Sequence, residues 1–202
     1  MTVLFTVWGY DVTVIEFASV ILAFLAIALG IRGTRWTWPL YFLSSLLYGW
    51  LFAEFDLFAS AAMQLIFMAA AIWGWFSWGR EGVEVPGRLT PSRRVAGVVG
   101  VVALWALVAP VLQSIGGAAT WGDAFMLVGS LAGQVLMVLR KIETWPVWIA
   151  VNTVGTVLYA SQGLYFTSLF YAVLIGMAIT GWRAWTMRAS TPASVAPAVA
   201  HG

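Results

Sequence analysis

Seven long apolar runs, separated by short breaks where charge, proline and glycine collect, organise this chain between residues 13 and 185. They cover about 13–31, 36–53, 57–78, 95–115, 123–139, 145–159 and 165–185. A helix that crosses a bilayer needs roughly 20 mostly apolar residues, so each run predicts one crossing, with the fifth and sixth short for a span. The longest polar connection, 79–94, carries Pro86, Pro91 and several charges and divides the chain into halves. The last stretch, 186–202, is rich in Ala, Ser and Pro and is expected to be a disordered tail. No charged n-region, apolar h-region and small-residue cleavage site precedes the first run, so no removable signal peptide is expected.

Composition fits a bilayer setting. Hydrophobic residues make up 62% of the 202 and charged residues 9%, against about a quarter charged in a soluble domain. The chain has no cysteine and one histidine, His201 in the tail, which leaves no disulfide, thiolate nucleophile or Cys/His metal site to build. No cofactor, no metal and no nucleic-acid partner are expected, and the expected surroundings are lipid. A membrane enzyme would need histidines, cysteines or clustered carboxylates inside the spans, so the chain is expected not to be an enzyme.

The charges fix an expected topology. Arg32, Arg35, Arg80, Arg88, Arg93, Arg94, Arg140, Lys141, Arg183 and Arg188 all fall on one side of a seven-span arrangement, with Glu81, Glu84 and Glu143 beside them. Asp11, Glu16, Glu54, Asp56 and Asp123 fall on the other. The positive-inside rule makes the basic side cytoplasmic, with the N-terminus outside and the C-terminus inside. A wrong helix count would have scattered these charges.

A shift of 107 residues aligns the chain with itself: Thr37, Trp38 and Pro39 land on Thr144, Trp145 and Pro146, and Gly74, Trp75 and Trp78 land on Gly181, Trp182 and Trp185. Spans one to three therefore repeat as spans five to seven. The fourth span restores the direction that three crossings reverse. The expected fold is an all-α integral membrane protein with seven transmembrane helices in a parallel 3+1+3 repeat, the SWEET-like architecture. Its expected parts are a first three-helix repeat (1–78), a polar loop and linker helix (79–122), a second three-helix repeat (123–185) and a cytoplasmic tail (186–202).

Polar groups inside such spans must face inward, because each unsatisfied one costs several kcal/mol in hydrocarbon. Asn152 lies seven residues from Trp145, hence roughly 10 Å deep. Trp145, Trp148, Asn152 and Tyr159 follow helical spacing on one stripe, and the repeat mates of that stripe are Trp38, Tyr41, Ser45 and Phe52, with Tyr48 between them. Gln64, its mate Tyr171, and the pair Ser130 and Gln134 lie at similar depth. Any one of these could simply join helices. Their convergence from both repeats favours a small-molecule site at mid-membrane. Trp36, Trp38, Trp75, Trp78, Trp182 and Trp185 are expected to be interface anchors or packing residues rather than ligands.

Several stretches together resemble the PnuC-type vitamin transporters: Gly9, Tyr10, Glu16 and Phe17; Trp38 and Pro39; the 57–78 segment with Gln64; and WPVWIAVNTVGTVLYASQGLY, with Trp145, Trp148, Asn152, Leu158, Tyr159, Leu164 and Tyr165. The resemblance covers nearly the whole chain and departs from the family pattern at Tyr41 and Ser60. It implies a transporter of the bacterial inner membrane that passes nicotinamide riboside by facilitated diffusion, with trapping by a kinase that serves NAD biosynthesis. It also implies a possible homo-oligomer, a trimer. Relatives that carry thiamine or riboflavin, and a SWEET-like sugar transporter, stand as alternatives. The residues themselves suit the first substrate. Aromatic faces hold a flat cation at roughly 0.5 to 2 kcal/mol per ring, Asn and Gln serve an amide or hydroxyl as donor and acceptor together, and no carboxylate sits at mid-span to couple transport to protons or sodium.

Overall fold

Seven α-helices and one short hairpin make up the described residues of this computed structural model, namely 2–7, 9–54, 58–79, 85–114, 120–163 and 165–190. The helices are α1 (Val14–Arg32), α2 (Thr37–Glu54), α3 (Phe58–Ser77), α4 (Pro91–Ser114), α5 (Thr120–Val138), α6 (Thr144–Ser161) and α7 (Tyr165–Ser190). One helix stands on each apolar run. Three of them, Val14–Arg32, Pro91–Ser114 and Trp121–Val138, are long and apolar enough by themselves to cross a membrane. The fifth and sixth runs, short on paper, become helices of 19 and 18 residues. Residues 186–190, expected in a disordered tail, instead continue α7, where Arg188 is held by the carbonyls of Ile31 and Arg32. Asp56, Leu57, Arg80, Glu81, Glu84, Leu164 and the tail from 191 lie outside the described residues.

A two-stranded hairpin precedes α1, so the fold is not wholly helical. Strand β1 (Val3–Val7) pairs antiparallel with β2 (Tyr10–Thr13), and the turn uses Gly9 at φ 80°, a conformation glycine takes without strain. Thr13 ends the hairpin and caps α1, its hydroxyl accepting from the Glu16 backbone N–H at 3.2 Å. The signal was present in the β-branched run at Val3–Val7 and in Gly9.

Helix α2 packs between α1 and α3, and α6 packs between α5 and α7. These two bundles meet along an α1–α7 seam and an α3–α5 seam, while α4 lies against α5. Contacts recur at the 107-residue spacing. The Thr37 hydroxyl donates to the Ala26 carbonyl at 2.5 Å, and Thr144 donates to Gly133 at 2.8 Å. Trp38 covers Gly74 so closely that a Cβ there would meet the indole at 2.2 Å, and Trp145 covers Gly181 with the corresponding distance at 2.5 Å.

The basic residues gather at one end. Arg188 bridges α7 to the end of α1, Arg140 donates to the Ser77 carbonyl at 3.2 Å, and Arg35 donates to Trp75 at 3.0 Å with its guanidinium over that ring. The segment before α4 is fixed at this end as well. Gly87 exchanges backbone hydrogen bonds with Arg140 and Ile142, and Glu143 pairs with Arg94 at 2.8 Å while accepting from the Leu89 N–H.

A cavity between the two bundles

Between the bundles, at the depth where α2 and α6 carry their polar residues, lies a cavity of about 200 Å³. Two equivalent stripes form facing walls: Trp38, Tyr41 and Ser45 on α2, and Trp145, Trp148 and Asn152 on α6. Helical spacing of three and four residues puts each trio on one face. Gln64 enters from α3, Gln134 from α5, and Phe67 and Phe170 complete the aromatic lining. Among the described residues no Asp, Glu, Lys, Arg or His lines the space.

Of the residues expected from sequence, Asn152, Trp148, Trp145, Gln134, Gln64, Ser45, Tyr41 and Tyr48 do line this cavity. Ser130, Tyr159 and Tyr171 stand outside its lining. Tyr159 and Tyr171 pair with each other instead, ring centroids 5.1 Å apart, and Tyr171 lies flat against Gly155. Gln134 reaches the cavity from α5, one turn nearer the basic end than Ser130. Trp38, expected to be an anchor or packing residue, lines the cavity, as do Thr37 and Ser44. Trp38 could have been found as the 107-residue mate of Trp145. The Ser44 hydroxyl donates to the Ser19 carbonyl at 2.9 Å and so serves the α1–α2 contact.

Hydrogen-bond accounting separates the tryptophans into two kinds. Trp78 and Trp185 donate their indole N–H groups to carbonyls, Trp78 to Val138 at 3.0 Å and Trp185 to Gly30 and Ile31 at 3.0 and 3.2 Å. Trp38 and Trp145, both 2% exposed, have buried indole N–H groups with no partner, and so does the Gln134 amide nitrogen. Buried donors are almost always paired in folded proteins. Three unpaired donors thus belong to side chains that line one cavity.

Seven helices in two repeated bundles and a linking helix, with an aromatic cavity between the bundles whose described lining carries no charge, define a helical membrane protein. The nicotinamide mononucleotide transporter family profile matches residues 13–187, and the chain belongs to this family of integral membrane transporters, the PnuC type. It is 32% identical over 180 residues to the riboflavin/roseoflavin transporter RibM of Streptomyces davaonensis, covering 83% of this chain and 82% of the relative. It is 28% identical to the nicotinamide riboside transporter PnuC of Escherichia coli, covering 88% and 87% of the two chains. In fold it is similar to the crystal structure of the vitamin B3 transporter PnuC, with a TM-score of 0.72 at 21% identity over 87% of this chain and 81% of that one.

Proposed function

We propose that this protein carries nicotinamide riboside across the bacterial inner membrane by facilitated diffusion, and that phosphorylation inside the cell traps the product. The observation that carries this reading is the set of buried, unpaired donors, Trp38 Nε1, Trp145 Nε1 and Gln134 Nε2, on side chains that line one aromatic cavity. A carboxamide oxygen and ribose hydroxyls supply acceptors for such donors. Asn152 and Gln64 can give or take the remaining hydrogen bonds, and the faces of Trp148 and Tyr41 suit a pyridinium ring. The bound parts of the substrate would thus meet both repeats together.

Riboflavin is the second reading, favoured by the similarity to the Streptomyces transporter. The absence of an acid or base from the described lining supports uniport, since ion-coupled carriers rely on ionisable groups within the membrane. The proposed architecture is the parallel 3+1+3, SWEET-like repeat, with the basic end cytoplasmic and the N-terminus outside. The contacts repeated at 107-residue spacing support it.

Uptake of labelled nicotinamide riboside, riboflavin and thiamine into proteoliposomes at clamped potential tests the reading. Nicotinamide riboside is expected to equilibrate with its gradient and not to concentrate under an imposed proton or sodium gradient. Clamping is needed because a cation gains about 2.3 kcal/mol per 100 mV. Uptake of riboflavin alone, or accumulation driven by either ion, would overturn the substrate or the uniport assignment respectively.

A further inference from the structure

Four buried tryptophans close the basic end of the cavity as a chain of rings. Trp38 meets Trp78 edge-on at 5.1 Å and 88°, Trp78 meets Trp185 at 6.1 Å, and Trp185 meets Trp145 edge-on at 5.4 Å and 90°. The outer pair, Trp38 and Trp145, faces the cavity, while the inner pair lies behind it, each ring at most 2% exposed. The inner pair also ties the two bundles together. Trp78 of the first bundle donates to Val138 of the second, and Trp185 of the second donates to Ile31 of the first. These bonds are reciprocal, since both residues of one pair lie 107 positions from those of the other. An arginine reinforces each seam: Arg140 on the Ser77 carbonyl across α3–α5, and Arg188 on the carbonyls of Ile31 and Arg32 across α1–α7.

Hydrogen bonds from Trp78, Trp185, Arg140 and Arg188 cross between the bundles at this end. Toward the other end, the α1–α7 seam holds an aromatic contact, Phe24 with Phe170 at 5.4 Å. A passage toward the basic side must therefore separate these carbonyls from indole N–H and guanidinium groups.

We infer that Trp78 and Trp185 form the gate on the basic side of the transport cavity, held shut by their reciprocal bonds to the opposite bundle. A ligand in the cavity meets the rings of Trp38 and Trp145, which pack edge-on against the gate. Binding is thereby linked to opening through ring contact alone. Trp78 and Trp185 are positioning residues: they control access and touch no substrate. This inference takes the cavity to be the transport site, but its test reads accessibility and needs no substrate.

The chain has no cysteine, so Ser45→Cys puts a single thiol in the cavity wall. Labelling by a membrane-impermeant thiol reagent is measured from each side of the membrane, in the parent background and with Trp78→Phe or Trp185→Phe, which keep a ring and remove the N–H. The expected result is labelling from the basic side faster by about 3- to 10-fold, the ratio that loss of one buried hydrogen bond gives. Labelling from the other side should not rise. In the cysteine-free background, maximal transport rate should change. Unchanged labelling in folded variants overturns the gate, and so does an equal rise from both sides, which would mean general loosening. Arg188→Gln removes a bond from the same seam outside the ring chain, and it carries the same expectation and the same refutation if the ring variants do not fold. A failure to transport any of the three vitamins, with side-specific labelling intact, would count against the substrate and leave the gate standing.

Discussion

Asn152, 4% exposed and lining the same aromatic cavity as its repeat mate Ser45, shows how one side chain can be read from sequence. An amide seven residues inside an apolar helix has to find a polar neighbour, and the stripe it shares with Trp145 and Trp148 points to where. Replacing it with leucine should weaken binding of nicotinamide riboside by about 1 to 3 kcal/mol, roughly 5- to 150-fold. The variant should unfold near the parent's temperature without ligand and lose the ligand-induced rise, which depends on occupancy. If Asn152 only joins helices, the unliganded protein loses stability while folded variant binds normally, and thermal shifts on the purified variant separate the two. Trp38 was harder to read. Its position near the basic ends suggests an interface anchor or packing residue, and it does pack on Gly74 in the core while also lining the cavity, as its repeat mate Trp145 does. That double role depends on where a ring points. Spacing along the helix does not contain it.

Each helix coincides with an apolar run because hydrocarbon demands that every backbone group be paired within its own segment. Helix existence was therefore legible, and ends were less so: α7 continues to Ser190 because Arg188 finds carbonyl partners on α1. The hairpin before α1 escaped an analysis tuned to long apolar runs. The close approach of helices at Gly74 and Gly181 was foreshadowed by their repetition, though the aligned glycines did not say which ring covers them. Gly181→Ala would put a Cβ 2.5 Å from the Trp145 ring. Overpacking of this kind typically costs about 1 to 3 kcal/mol. Gly97→Ala on α4 meets nothing within 4 Å and should be neutral or stabilising by up to about 1 kcal/mol, since alanine orders more easily in a helix. Thermal unfolding of the two variants in one detergent checks the contrast, and equal behaviour would remove the case for a tight α6–α7 contact.

Across the whole molecule, the proposed orientation follows from charge placement, which the folded chain gathers at one end through Arg35, Arg140 and Arg188. A reporter fused to the C-terminus should be active only in the cytoplasm, and one at the N-terminus only outside. The reverse pattern would reject the positive-inside assignment. Substrate choice was not legible at this scale, because similar relatives are named for different vitamins, riboflavin for one and nicotinamide riboside for another.

Helix α4 packs on α5 and carries exposed valines at positions 95, 98, 99 and 102 with a mean hydropathy of 2.5. It contributes nothing to the described cavity lining. Its consequence belongs to biosynthesis. In the proposed topology α4 crosses the membrane once and so reverses the heading of the chain that follows. Without it, α5–α7 would be threaded upside down against their own flanking charges, and the reciprocal Trp78 and Trp185 bonds could never meet at one end.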